Sequence, residues 1–283
     1  MRRRLSLVLS SLLTVVALAC GGWLLDPAGS REPAGAQSHA QVRPTTSGAA
    51  LYRAVTQRML AGRAATYVWS GTSGGGTTQA GNGALRFLPT GTSGHTFDAD
   101  VTVTSPETGR MRAVLLPGAV YLALPPAKGL PRSKPWLKVA DTPRSTLARQ
   151  LQPMGEQLRA AVDPAQNVGL LRAAGRVTEV GPATVEGVAA TEHRATVNLR
   201  TAARLAVDPG VRAQYRLMLA AGVRTLTYQL WLDATGLPLR VHADVPRSHG
   251  VFSMTGVYRN WGGKVAITAP TAKQVFDADA IKG

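Results

Sequence analysis

The chain is 283 residues long and carries 32 Lys and Arg against 16 Asp and Glu, a formal net charge of +16. Its single cysteine excludes an internal disulfide and a Cys-rich metal site, so the folded part must hold itself together by burial. Only 5% of the residues are aromatic, which leaves Leu, Val and Ala to supply most of the interior.

Met1 is followed by Arg2, Arg3 and Arg4 and then by an apolar run from Leu5 to Ala19. A basic start before an apolar stretch is the layout of an export signal, and residues 1–19 are expected to be a signal peptide. Three endings are open. Ala17-Leu18-Ala19-Cys20 resembles a bacterial lipobox, which would make Cys20 a lipidated N-terminus. Ala34-Gly35-Ala36 has the small-x-small pattern of ordinary signal cleavage. Trp23, Leu24 and Leu25 extend the apolar run to about the 20 residues that can stay as a transmembrane anchor. All three place the protein outside the cytoplasm. Residues 20–49, rich in Pro, Gly, Ala, Ser and Gln, are expected to be a flexible tether before one domain over 50–283. Residues 1–36 hold four Arg against Asp26 and Glu32, which leaves +14 on the remainder. That charge suits an anionic membrane surface or wall polymer, and outside the cell nucleic acid is not an expected partner.

Ala50 to Ala61 has helical spacing, with Leu51, Val55 and Met59 on one side. Thr66 to Ser70 is expected to be a short strand. Gly71 to Gly83 is expected to be a loop, being too rich in glycine for a strand. Strands are predicted over Ala84–Leu88, Thr96–Thr104, Met111–Leu116, Val120–Leu124 and Trp136–Val139, with a turn at Pro117-Gly118. Phe97, Ala99, Val101 and Val103 alternate with Asp98, Asp100 and Thr102. From Arg144 to Val162, Leu147, Leu151, Met154, Leu158 and Val162 form one helical stripe, and Pro153 is expected to kink or divide that helix. A second short helix is expected over Asn167–Ala174. Strands at Val177–Val180 and Val188–Leu199 precede a helical stretch, Arg200–Ala221, broken at Asp208-Pro209-Gly210. Three last strands are Arg224–Asp233, Leu239–Val245 and Val251–Asn260, the first two joined by a tight turn at Ala234-Thr235-Gly236. Sequential antiparallel strands with helices confined to insertions predict an α+β fold.

No catalytic motif is visible. The histidines lack metal-ligand spacing and an acidic cluster beside them, and no nucleophile elbow, HExxH, Walker loop or dinucleotide-type glycine pattern occurs. The expectation is a protein that is not an enzyme and uses no cofactor or metal.

Several segments in the later half carry a resemblance. Val185-Glu186-Gly187-Val188 leads into a strand ending Ala195-Thr196-Val197-Asn198-Leu199, and Leu230-Trp231-Leu232-Asp233 precedes Leu237-Pro238-Leu239-Arg240. Tyr258-Arg259-Asn260-Trp261-Gly262, Val265-Ala266-Ile267 and Ala269-Pro270 follow. Their order resembles the actinobacterial LppX/LprG-type lipoproteins, relatives in fold of the LolA carriers, over about residues 50–276. The resemblance implies a half-barrel, one strongly curved antiparallel sheet wrapped around helices, with an apolar cavity between them. It implies a monomeric envelope protein that holds a lipid or glycolipid ligand without catalysis. Alternation then selects the cavity lining: Leu147, Leu151, Met154 and Leu158 from the helix, facing Val101, Val103, Leu115, Leu226, Leu230, Leu232 and Val241 from the sheet. The competing expectation is a sensor or interaction domain whose packed core leaves no cavity and which binds a protein or wall polymer.

Overall fold

The computed structural model describes residues 45–72, 78–88, 96–105, 109–123, 133–163, 168–206, 209–247 and 250–280. The expected signal peptide, Cys20, residues 20–44 of the tether and the Asp208 break position lie outside them. In chain order the elements are β1 (Thr45–Ser47), α1 (Gly48–Gly62), β2 (Ala64–Thr72), β3 (Thr78–Leu88), β4 (Thr96–Ser105), β5 (Gly109–Leu116), β6 (Ala119–Ala123) and β7 (Trp136–Ala140). Then come α2 (Thr146–Val162), a 3-10 turn (Leu170–Ala173), β8 (Arg176–Val185), β9 (Val188–Asn198), α3 (Leu199–Leu205) and α4 (Pro209–Ala220). β10 (Thr225–Leu232), β11 (Pro238–Arg247), β12 (Gly250–Arg259) and β13 (Val275–Asp277) finish the chain.

Among the described residues all strands join one open sheet in the order β1-β8-β9-β10-β11-β12-β2-β3-β4-β5-β6-β7-β13. It is two antiparallel meanders, β2 to β7 and β8 to β12, fused where β12 pairs with β2. Only β13 runs parallel to its neighbour, β7. The fold is α+β, as the pattern of strands and helical insertions predicts.

Strict alternation decides which face is buried. In β10, Leu226, Tyr228, Leu230 and Leu232 are buried while Thr225 and Thr227 are exposed. The register carries that face across the sheet. Leu230 lies opposite Val241, Val241 opposite Gly256, Gly256 opposite Trp69, Trp69 opposite Gly81, and Gly81 opposite Val103. Residues of this inner face share one hydrophobic cluster with Val55 and Met59 of α1, the α2 stripe, Leu199 and Ala202 of α3, and Met218 of α4. The helices therefore cover a single face of the sheet.

Local chemistry sets the helix ends. Ser47 Oγ accepts from the Ala50 amide at 3.1 Å to start α1, Ser145 Oγ from the Ala148 amide at 3.0 Å to start α2, and Asn198 Oδ1 from the Thr201 amide at 3.0 Å to start α3. Asp279 adds a clamp from the far end of the chain, accepting from the Arg144 and Ser145 amides at 2.7 Å each. Those two bonds hold its carboxyl below the ordinary Asp range. Arg159 fixes the other end of α2 by donating to the Leu116 and Ala119 carbonyls at 2.6 and 3.1 Å and pairing with Asp141.

Four expectations are corrected. The glycine-rich stretch Gly71–Gly83 is not simply a loop. Gly71 lies within β2, which ends at Thr72, and Thr78 begins β3, with Gly81 and Gly83 inside the strand. Pro153 does not divide α2, which runs unbroken from Thr146 to Val162. Pro153 is exposed, as is Arg149, whose carbonyl the missing amide would have capped, so water can take its place. Residues 45–49, expected in the tether, instead form β1, paired with β8, and the start of α1. Leu239, which alternation along β11 would put on the face of Val241, Ala243 and Val245, instead joins a smaller cluster with Val185 and Ala190, because the register shifts between Trp231 and Leu232.

Candidate functional site

Of the residues expected to line an interior, Val101, Val103, Leu115, Leu151, Met154, Leu158, Leu226, Leu230, Leu232 and Val241 are all buried in the one cluster between helices and sheet. Leu147 lies at its margin, partly buried against it. Helix α2 packs against β6 at Gly155, where a Cβ would make van der Waals contact with Val120 Cγ2 at 3.4 Å.

The middle of the inner face was not anticipated. Its strands carry glycine where a neighbour carries a ring. A Cβ on Gly81 would lie 2.2 Å from the Trp69 indole nitrogen, one on Gly83 2.9 Å from the Tyr67 hydroxyl, and one on Gly71 3.2 Å from the Phe252 ring. Each ring thus packs against a bare stretch of backbone. The signal was present in the sequence as glycines spaced by two, in a strand neighbouring one with Tyr67 and Trp69 spaced by two.

Tyr67 and Tyr258 face each other across the β2–β12 pair with ring centroids 6.1 Å apart, and Tyr258 stacks on Trp261 at 5.8 Å. Trp261 in turn donates its indole N–H to the Pro238 carbonyl at 2.8 Å. The segment Tyr258–Gly262 is therefore a corner that turns the chain out of β12, helped by positive φ at Asn260 and Gly262. Trp69 and Phe252, further along the same face, are only partly buried. Both rings pack against the apolar cluster with part of their surface uncovered.

Polar groups on this face are few. Tyr228 is 2% exposed and its hydroxyl has no hydrogen-bond partner. Burial first, and then the neighbouring Tyr258 and Tyr215 phenols, push its pKa well above the ordinary tyrosine value. Tyr215 of α4 is pushed up to about 12 by burial. His193 pairs with Leu230 across β9 and β10 and with Glu179 across β8 and β9. Its Nδ1 is buried without a partner, and burial lowers its pKa against the opposing pull of Glu179.

The opposite face is charged. Arg86 pairs with Asp98 and Arg112 with Asp100 on adjacent strands, and Arg259 forks onto Glu186. One histidine has a single acidic neighbour: His242 Nε2 lies 3.0 Å from Asp244 Oδ1, to which Ser253 Oγ also donates at 2.6 Å. The i, i+2 spacing on a strand gave that pairing away. The carboxylate sits between the hydroxyl and the imidazole, whereas a Ser nucleophile needs the imidazole next to it, so this set does not activate Ser253. Among the described residues no group of three or more His, Cys, Asp and Glu is placed to hold a metal ion, and no helix is long and apolar enough to cross a membrane.

No family model matches the chain. An uncharacterised 31.2 kDa protein from the rplA–rplJ intergenic region of Streptomyces griseus is 33% identical over 117 residues, 40% of this chain; that stretch spans 38% of the relative's length, well under half. The structure of LprF from Mycobacterium bovis superimposes with a TM-score of 0.50 at 13% identity, covering 80% of this chain and 97% of that one. The Mycobacterium tuberculosis lipoprotein LppX gives 0.47 at 12% identity, with 78% and 99% covered. The chain has the LppX/LprG-type, LolA-like fold expected from its sequence.

Proposed function

We propose that this protein is an extracytoplasmic, non-catalytic lipid carrier that takes acyl chains between the inner face of its sheet and the covering helices. The observation that carries the reading is the inner face itself. A single apolar cluster spans the sheet from Val197 to Val139, and the Trp69 and Phe252 rings packed against it stay partly uncovered. An apolar interior with an incompletely sealed aromatic edge is what a chain-shaped apolar ligand needs for entry. In this reading the sheet curves into a half-barrel. Leu147, Leu151, Met154 and Leu158 then line a cavity opposite Val101, Val103, Leu115, Leu226, Leu230, Leu232 and Val241.

The driving force is desolvation, about 0.8 kcal/mol for each methylene moved from water into the interior. Two long chains are held by that alone. The likeness in fold to LprF supports the reading. A lipid or glycolipid of the cell envelope fits it, with Cys20 as a lipid anchor and the +14 charge beyond residue 36 drawing the protein to anionic headgroups.

The test is mass spectrometry of an organic extract of the protein purified from its native envelope, together with uptake of a fluorescent fatty acid by delipidated protein. Co-purifying lipid in near-stoichiometric amount and saturable uptake are expected. A ligand-free protein that takes up none would favour the packed-core interaction domain instead. Binding to anionic vesicles, weakening as salt rises, checks the surface charge separately.

A further inference from the structure

Tyr228 breaks the chemistry of the face it belongs to. It stands between Leu226 and Leu230 on β10, and its cross-strand neighbours are Ala195 and Ala243, both small. Its ring is buried like the leucines on either side, yet its hydroxyl has no partner among the described residues. A buried donor left unpaired is costly, and a phenylalanine would fill the same space without that cost. Burial also keeps the phenol protonated, so it remains a donor throughout the physiological range. Among the described residues, the charged side chain that is fully buried, Asp98, lies on the other face with Arg86. His193, two residues from Ala195 on this face, is held toward its neutral form by burial, so an anionic group drawn in beside Tyr228 would meet little compensating charge from it.

Resting on the lipid-carrier reading, we propose that the Tyr228 hydroxyl donates to an uncharged oxygen of the bound lipid, the carbonyl of an acyl ester. The linkage between chain and headgroup is then drawn inside with the chain, and the protein selects neutral acyl esters over plain hydrocarbon.

The experiment compares delipidated wild type with Tyr228→Phe, using dioctanoylglycerol and hexadecane as probes that displace a hydrophobic dye. Tyr228→Phe should weaken dioctanoylglycerol about threefold to tenfold, the loss of one neutral hydrogen bond, and leave hexadecane unchanged. The ligand-free variant should melt no lower than wild type, since removing an unpaired hydroxyl costs the packed state nothing. Unchanged affinity for both probes overturns the Tyr228 subsite and leaves the carrier reading standing. An equal loss for both probes, or a lower melting temperature of the ligand-free variant, also overturns the subsite, because it makes the hydroxyl a structural group. If wild type binds neither probe, the carrier reading fails, and the subsite with it.

Discussion

The Trp69 indole lies over Gly81 of the neighbouring strand so closely that a methyl group there would come 2.2 Å from its nitrogen and 2.5 Å from the Thr102 carbonyl oxygen. The ring could turn aside, but the carbonyl belongs to the β3–β4 ladder and cannot. Gly81→Ala should therefore destabilise the protein by about 1–3 kcal/mol, through overpacking and displacement of the ring. Thermal melting should show a fall of several degrees, and the near-ultraviolet signal of Trp69 should change with it. A variant that melts like wild type would mean the β2–β3 pair is looser than described.

Leu230 is fully buried in the row that runs through Val241, Gly256 and Trp69. If lipid occupies this region, Leu230→Trp takes volume from the ligand. Delipidated variant should melt within a few degrees of wild type while fatty-acid uptake falls severalfold. A solid core would give the reverse, a loss of about 1–3 kcal/mol with uptake unaffected.

Cys20→Ala addresses the anchor. If Cys20 carries the lipid, the variant should leave the membrane fraction or accumulate unprocessed. Fractionation and migration like wild type would exclude lipidation and return the choice to cleavage after Ala36 or an uncleaved anchor.

His193 predicts a pH dependence. Burial lowers its folded pKa below the unfolded value of about 6.5, so between the two the unfolded chain binds more protons. Stability should rise as pH rises through that window and fall on acidification below about 6.5. Glu179, opposite His193, softens the effect by favouring the charged form. His193→Gln should flatten the dependence of melting temperature on pH between about 5 and 7. An unchanged slope would place its origin elsewhere.

Much of this fold is legible by counting residues in twos. The alternation in Leu226–Leu232 and Ala99–Val103 gives strand, inner face and partners at once, and the stripe from Leu151 to Val162 gives the covering helix. Legibility fails where the rule of thumb concerns a residue alone and the outcome depends on what crosses it. Glycine is poor in a strand on average, but Gly81 and Gly83 are required where Trp69 and Tyr67 lie on the backbone. Proline breaks helices, but Pro153 sits where the freed carbonyl can meet water. β13 has three residues, and only its parallel pairing with β7 and the Lys138–Asp277 ion pair at 2.8 Å give it an identity. For the candidate site, the alternation placed Tyr228 inside. Whether its hydroxyl would find a partner there is a question of three-dimensional neighbours, which alternation does not address.

The seam between β12 and β2 joins residues far apart in the chain: the Thr66 hydroxyl meets the Arg259 carbonyl across 193 positions. If the chain is exported as proposed, N-terminus first, β2 emerges long before its partner. Until β12 arrives, the meander β2–β7 has an open edge that includes the ring-bearing segment Tyr67–Trp69, the kind of edge that pairs with strangers. Closing the seam needs one long loop closure, which contact order makes slower than forming the local hairpins within each meander. During that interval a periplasmic or cell-surface chaperone would find its substrate in the first half of the chain.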